Sequence, residues 1–160
     1  MLLAALVLAH LAWLLFHFAP AYQSPDAHCY FLQARLIATE GRTGFVPESV
    51  VQYLGIHWLE TDSGVLHSRY PAGFPLLLAA AYKLGGPTAA LLVNPVLASA
   101  ALLLVFGLAR RFAGDWGGLL AAAVVGTTAV FNQHALNADS HVALASTGLT
   151  SSAAVGPPSL

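Results

Sequence analysis

Three long apolar stretches of the chain carry no formal charge, residues 1–25, 84–109 and 116–138. Each is long enough for a membrane-crossing helix, which needs about 20 apolar residues to traverse a hydrocarbon core of about 30 Å. The pattern predicts spans over about 2–19, 88–109 and 117–134. The first begins MLLAALVLAHLAWLLFHF. It has no Lys or Arg ahead of its long apolar run, so it reads as a span in preference to a secretory signal cleaved near Ala19-Pro20-Ala21. The second is apolar except for Thr88, Asn94 and Ser99, with a kink expected at Pro95. The third opens GGLLAAAVVGTT, small residues that let helices approach closely in lipid. A fourth apolar patch, Phe74 to Leu84, is too short to cross and ends at Gly85-Gly86. It predicts a re-entrant or interfacial helix.

The Arg110-Arg111 pair places 110–116 on the cytoplasmic side by the positive-inside rule, although 20–87 also holds Arg35, Arg42, Arg69 and Lys83. Residues 20–87 then form a long outer loop, and Asn137 to His141 return to the outer side. In that loop Ser24 can cap a helix, Pro25 suits its first position and Gly41 can end it. Asp26 falls in the first turn, where the helix dipole favours a carboxylate. A plain helix-start acid and a functional carboxylate are equally good readings of it. Cys29, Leu32 and Leu36, with Ala34 and Ala38, form an apolar side expected on the membrane surface. Asp26 and Tyr30, one turn apart, face the same way. Further on, Thr61-Asp62-Ser63-Gly64 is a turn signal joining two extended pieces, VQYLGIHWLE and VLHSRY. Trp58 is expected as an interfacial anchor. His57 and His67 are placed to face each other across the turn, but two histidines do not define a metal site. Arg69-Tyr70-Pro71-Ala72-Gly73-Phe74-Pro75 is stiffened by its prolines, and Arg69 suits an anionic group or a lipid headgroup.

Composition narrows the classes. Hydrophobic residues make up 58% and charged residues 8%, against about 25% charged in soluble domains. That excludes an ordinary soluble enzyme and a disordered tail. Six Lys and Arg against seven Asp and Glu leave no cationic surface for nucleic acid. Cys29 is the single cysteine, so no internal disulfide forms and no CxxC zinc array exists.

The order of elements resembles a known superfamily. It comprises an acid after the first span in Asp26-Ala27-His28-Cys29-Tyr30-Phe31-Leu32-Gln33-Ala34-Arg35-Leu36, then Ser68-Arg69-Tyr70-Pro71-Ala72-Gly73-Phe74-Pro75 with its following Leu run. Val93-Asn94-Pro95, Leu108-Ala109-Arg110-Arg111 and Asn137-Ala138-Asp139-Ser140-His141 continue it. Over 1–145 this is similar to membrane glycosyltransferases of the GT-C fold, of the dolichyl-phosphate-mannose protein mannosyltransferase type (family 39-like) and its aminoarabinose transferase branch. The resemblance implies an all-α membrane protein with three transmembrane helices and outer-face juxtamembrane helices, the N-terminal part of a GT-C domain. It implies a multi-pass protein of the cell inner membrane that transfers a sugar from a polyprenyl-phosphate donor to a lipid, glycan or protein acceptor on the extracytoplasmic face.

In the same terms Asp26 is the catalytic residue, the base that takes the acceptor proton. The Asp-Glu pair common in the family reads Asp26-Ala27 here, which removes the second acid. Arg69 and Tyr70 are candidates for donor-phosphate or positioning contacts. The family's second outer-loop site falls on Asp139 or His141. A divalent metal is possible. Residues 146–160, STGLTSSAAVGPPSL, form an atypical low-complexity tail expected as a linker, and the chain reads as a fragment of a longer enzyme, inactive when isolated. Two other classes compete: a small non-enzymatic membrane subunit whose outer loop binds a partner, and a transporter fragment using His10 and His17, for which an interfacial position is the simpler reading.

Overall fold

The computed structural model describes residues 1–21, 24–49 and 57–154. The described residues are mostly helical: α1 (Leu2–His17), α2 (Pro25–Glu40), α3 (Gly73–Leu91), α4 (Val93–Thr127), α5 (Ala129–Ala135) and α6 (His141–Ala154). Three short strands, β1 (Gly44–Phe45), β2 (Trp58–Glu60) and β3 (Leu66–Ser68), join them. The chain divides into two compact units. One contains Met1–Ala19, Asn94–Leu136 and the segment from Ser140; the other contains Pro20–Val93 and Asn137–Asp139.

In the first unit, α4 is 35 residues long and is interrupted at Gly114, whose φ of 66° and ψ of −174° suit glycine alone. The chain reverses there. A Cβ placed on Gly118 would lie 2.9 Å from the Phe106 carbonyl oxygen and 3.0 Å from Arg110 Cβ. One on Gly126 would lie 3.2 Å from Leu102 Cδ1. On a straight helix, residues twelve apart are about 18 Å apart. The limbs 93–113 and 115–127 therefore run antiparallel, with Arg110 Nε 3.1 Å from Asp115 Oδ1 across the bend. Glycines at the contact bring the backbones together, the use expected of the GGLLAAAVVGTT run.

By length and composition α4 alone among the described helices can cross a membrane, since α1 has only 16 residues. This corrects the expectation of three separate crossing helices. Most of the predicted 88–109 and the start of 117–134 fall within α4, on its two limbs either side of Gly114. The expected kink at Pro95 is also absent. Pro95 sits in the first turn of α4, where no intrahelical partner for its missing N–H is needed.

Leu14, Ala98, Ala135 and Val142 form the core of this unit, with Leu97, Phe131 and Leu136 packed around them. Beside it, His10 Nε2 donates to Asn132 Oδ1 at 2.9 Å and His10 Nδ1 pairs with Ser99 Oγ at 3.0 Å. Asn132 in turn donates to the Gly126 carbonyl at 3.0 Å. His10 is thus buried and fully partnered, not interfacial, whereas exposed His17 bonds the Trp13 carbonyl. The expected linker at 146–160 is helical as far as Ala154. Ser146, Thr147, Thr150 and Ser151 turn their hydroxyls back onto carbonyls three or four residues earlier, which satisfies them within the helix.

The second unit is built on α2. Ser24 Oγ accepts from the Ala27 N–H at 3.1 Å, Pro25 occupies the first turn and Gly41 ends the helix at φ 67°, as the sequence predicts. The strands form an antiparallel sheet in the order β1-β3-β2, with Trp58 opposite Ser68 and Glu60 opposite Leu66. The Thr61–Gly64 turn closes with Gly64 N–H on the Thr61 carbonyl at 2.8 Å. The expected extended pair is therefore present over Trp58–Glu60 and Leu66–Ser68, while 51–56 lie outside the described residues. This small sheet is an addition that the all-α expectation did not contain, in a chain that is otherwise mostly helical as expected.

The sheet also covers the apolar side of α2. Cys29, Leu36, Trp58 and Leu66 are buried together, with Leu32, Phe45 and Tyr70 around them. That side of α2 consequently meets protein, not a membrane surface, and Trp58 is a core residue rather than an interfacial anchor. In α3, Phe74, Leu78 and Ala79 are buried, with Phe74 edge-on to Tyr30 and Tyr82 beside Phe31, whereas Leu76, Leu77 and Leu84 are exposed. Gly85 and Gly86 leave helical geometry, which confirms the short helix expected up to Leu84.

Candidate functional site

Asp26 is the second residue of α2, and its surroundings separate the two readings of it. A helix-start acid uses its oxygens on free backbone N–H groups of the first turn. Here Ser24 takes the Ala27 N–H and Pro25 has none to offer. The Asp26 carboxylate instead meets the segment after β3. The Tyr70 hydroxyl donates to Asp26 Oδ1 in a short hydrogen bond. His57 Nδ1 lies 3.1 Å from the same oxygen and 2.8 Å from the Tyr70 hydroxyl. Tyr70 has one proton and gives it to Asp26, so its oxygen accepts from His57, and Nδ1 of His57 must carry hydrogen. Among the described residues Asp26 Oδ2 accepts nothing, and the side chain is 47% exposed.

The backbone beneath this cluster is held firmly. The His57 carbonyl accepts from the Arg69 N–H at 3.1 Å and from the Cys29 thiol at 3.5 Å. Cys29 Sγ also lies 3.4 Å from Ser68 Oγ, which accepts from the Tyr70 N–H at 3.1 Å. The Tyr70 ring stacks on His57, with centroids 5.8 Å apart, and lies tilted by 31° against Tyr30 at 4.6 Å. The product is a half-open carboxylate beside an aromatic wall, with Arg69 exposed next to Tyr70 in sequence.

Burial raises the Tyr70 phenol, and the hydrogen bond and charge of Asp26 add to it. Burial likewise raises the Cys29 thiol, partly opposed by its bond to Ser68, with the Asp26 charge adding again. Both acids keep their protons in the fold beyond the values of about 8.5 and 10 at which an unfolded chain releases them. The unfolded state then binds fewer protons, so stability falls as pH rises through that window. Thermal unfolding in detergent is expected to occur at lower temperature from about pH 9 upward, with a flatter slope in a Cys29→Ala/Tyr70→Phe double variant.

The Asn137–Asp139 segment belongs to the same unit. Asn137 Nδ2 donates to Ser24 Oγ at 3.1 Å and lies 3.4 Å from Asp139 Oδ2, and Asp139 is buried. The second-site candidate Asp139 is thereby tied to the start of the helix that carries Asp26. The other candidate, His141, opens α6 in the first unit, its ring 4.5 Å from that of His134. His57 and His67 do not face each other. His67 pairs with Leu59 and Gly44 across the sheet, while His57 turns to Tyr70. The contact between Asp26 and Tyr70 joins two residues singled out separately in the sequence, and His57, expected opposite His67, reaches Asp26 only because of how α2 packs on the sheet.

Comparison of the chain with protein-family models, with curated proteins and with solved structures returns no match.

Proposed function

We propose that this chain forms the acceptor-side catalytic region of an integral-membrane glycosyltransferase of the GT-C kind, using a polyprenyl-phosphate sugar as donor. The observation that carries the reading is the Asp26 carboxylate, fixed through Oδ1 by Tyr70 and His57 and open at Oδ2. In this reading α4 seats the protein in the inner membrane and Asp26 serves acceptors on the extracytoplasmic side. The exposed leucines of α3 rest against the bilayer.

The chemistry asks little of the protein beyond a base and a cation. Asp26 Oδ2 takes the proton of the acceptor hydroxyl as its oxygen bonds to the anomeric carbon. The carbon–oxygen bond to phosphate breaks, and the phosphate leaves with the electron pair. Arg69 provides positive charge for that leaving group. Tyr70 serves the carboxylate, since its proton is committed to Asp26, and Asp139 supports the cleft through Asn137. No strong general acid is required for a phosphate leaving group. The test is the loss of radiolabelled sugar from polyprenyl phosphate in membranes containing the complete protein, since the isolated chain is expected to be inactive. Label is expected to leave the lipid and appear on an acceptor; membranes with abundant protein and no loss above background would reject the reading.

A further inference from the structure

We propose that His57 is a positioning residue, which through its Nδ1–H locks Tyr70 and one oxygen of Asp26 so that the other oxygen alone faces the acceptor. This rests on the reading of Asp26 as the base. Three observations carry it. His57 reaches both the Tyr70 oxygen, at 2.8 Å, and Asp26 Oδ1, at 3.1 Å, from a single nitrogen. Its ring is stacked nearly parallel to Tyr70, at 18°, and only 17% of its side chain is exposed. Its carbonyl is clamped by both Arg69 and Cys29, so the imidazole has little freedom to turn away. A carboxylate this open to water would otherwise rotate about its terminal torsion, which is broad and roughly two-fold. Two donors converging on one oxygen remove that freedom. Reaction rate depends steeply on such alignment.

The groups facing His57 are Asp26 and Cys29 from α2, Tyr30 through its ring contact with Tyr70, and Arg69 and Tyr70 from the segment after β3. Among the described residues the ring nitrogens of His57 approach only Tyr70 and Asp26, both through Nδ1. The role assigned is therefore donation from Nδ1, and substitutions can separate it from proton carriage. Asn places its amide nitrogen where Nδ1 of His lies, whereas Gln places its amide nitrogen nearer Nε2. His57→Asn is expected to keep kcat within a few fold of wild type. His57→Gln and His57→Leu should lower kcat by roughly ten- to a hundredfold with KM little changed, the range of one hydrogen bond to a charged group. Equal kcat in all three variants, or a loss in His57→Asn as deep as in His57→Gln, would overturn the proposal.

A second readout does not depend on catalysis. In the full chain reconstituted in nanodiscs with ¹⁵N-labelled histidine, the resonance lost in His57→Asn identifies His57. Nδ1 is expected to be protonated, and Tyr70→Phe should shift it. An Nε2–H tautomer with bare Nδ1, or no response to Tyr70→Phe, would refute the inference. If wild-type protein transfers no sugar while these spectra hold, the function fails and the positioning of Asp26 stands.

Discussion

Asp26→Asn is expected to reduce sugar transfer by about 10²–10⁴-fold, the usual contribution of a general base, with membrane insertion unchanged. The substitution is conservative at this site. An Asn carbonyl oxygen in the place of Oδ1 still accepts from Tyr70 and from His57. Its amide nitrogen then occupies the place of Oδ2 and donates where the carboxylate accepted. Shape survives and basicity does not. Initial rates from labelled polyprenyl-phosphate sugar, at matched protein levels, check it. Because Ser24, and not Asp26, caps α2, the variant should also unfold at nearly the wild-type temperature. A drop of many degrees would instead assign Asp26 to stability.

The second large effect concerns the α4 hairpin. Gly118→Ala is expected to destabilise the protein by about 1–3 kcal/mol, because the added methyl would sit 2.9 Å from the Phe106 carbonyl oxygen. The phenyl ring of Phe106 can turn aside. A backbone oxygen moves only if the limb moves. Gly107 gives the matched control, since a Cβ there has nothing within 4 Å. Gly107→Ala should stabilise by about 0.5–1 kcal/mol through helix propensity alone. Denaturant unfolding of both variants in the same detergent checks the pair. Opposite signs support the hairpin, and two small stabilisations would argue for a straight α4.

The parts of this fold legible in the sequence are those set by local chemistry. Ser24, Pro25 and Gly41 marked both ends of α2, Thr61 to Gly64 marked the turn, and Gly85-Gly86 marked the end of the short helix in α3. Each is a backbone requirement met by a residue beside it. What stayed hidden depends on contacts distant in sequence. Trp58 looks like an interfacial aromatic until β3 and α2 enclose it. The pairing of β1 with β3 involves two residues, Gly44 and Phe45, too few to show alternation. Gly114 reads as one more small residue in an apolar run, and only the approach of Gly118 to Phe106 reveals a reversal there.

The site divides the same way. Asp26 was conspicuous as an acid at a helix start, and Tyr70 lay in a stretch dense with prolines. His57 carried no local signal beyond its pairing by position with His67, which the sheet register sets aside. Its contacts with Tyr70 and Asp26 form only because the strand following it docks against α2.

The central claim is that Asp26 acts as a base in a single displacement at the anomeric carbon, and the configuration of the product tests it most directly. Wild-type membranes supplied with a polyprenyl-phosphate sugar of known anomeric configuration are expected to yield a glycoside of inverted configuration, read by the one-bond carbon–proton coupling at the anomeric centre. A product of retained configuration would make the carboxylate a nucleophile or irrelevant, and would contradict the account.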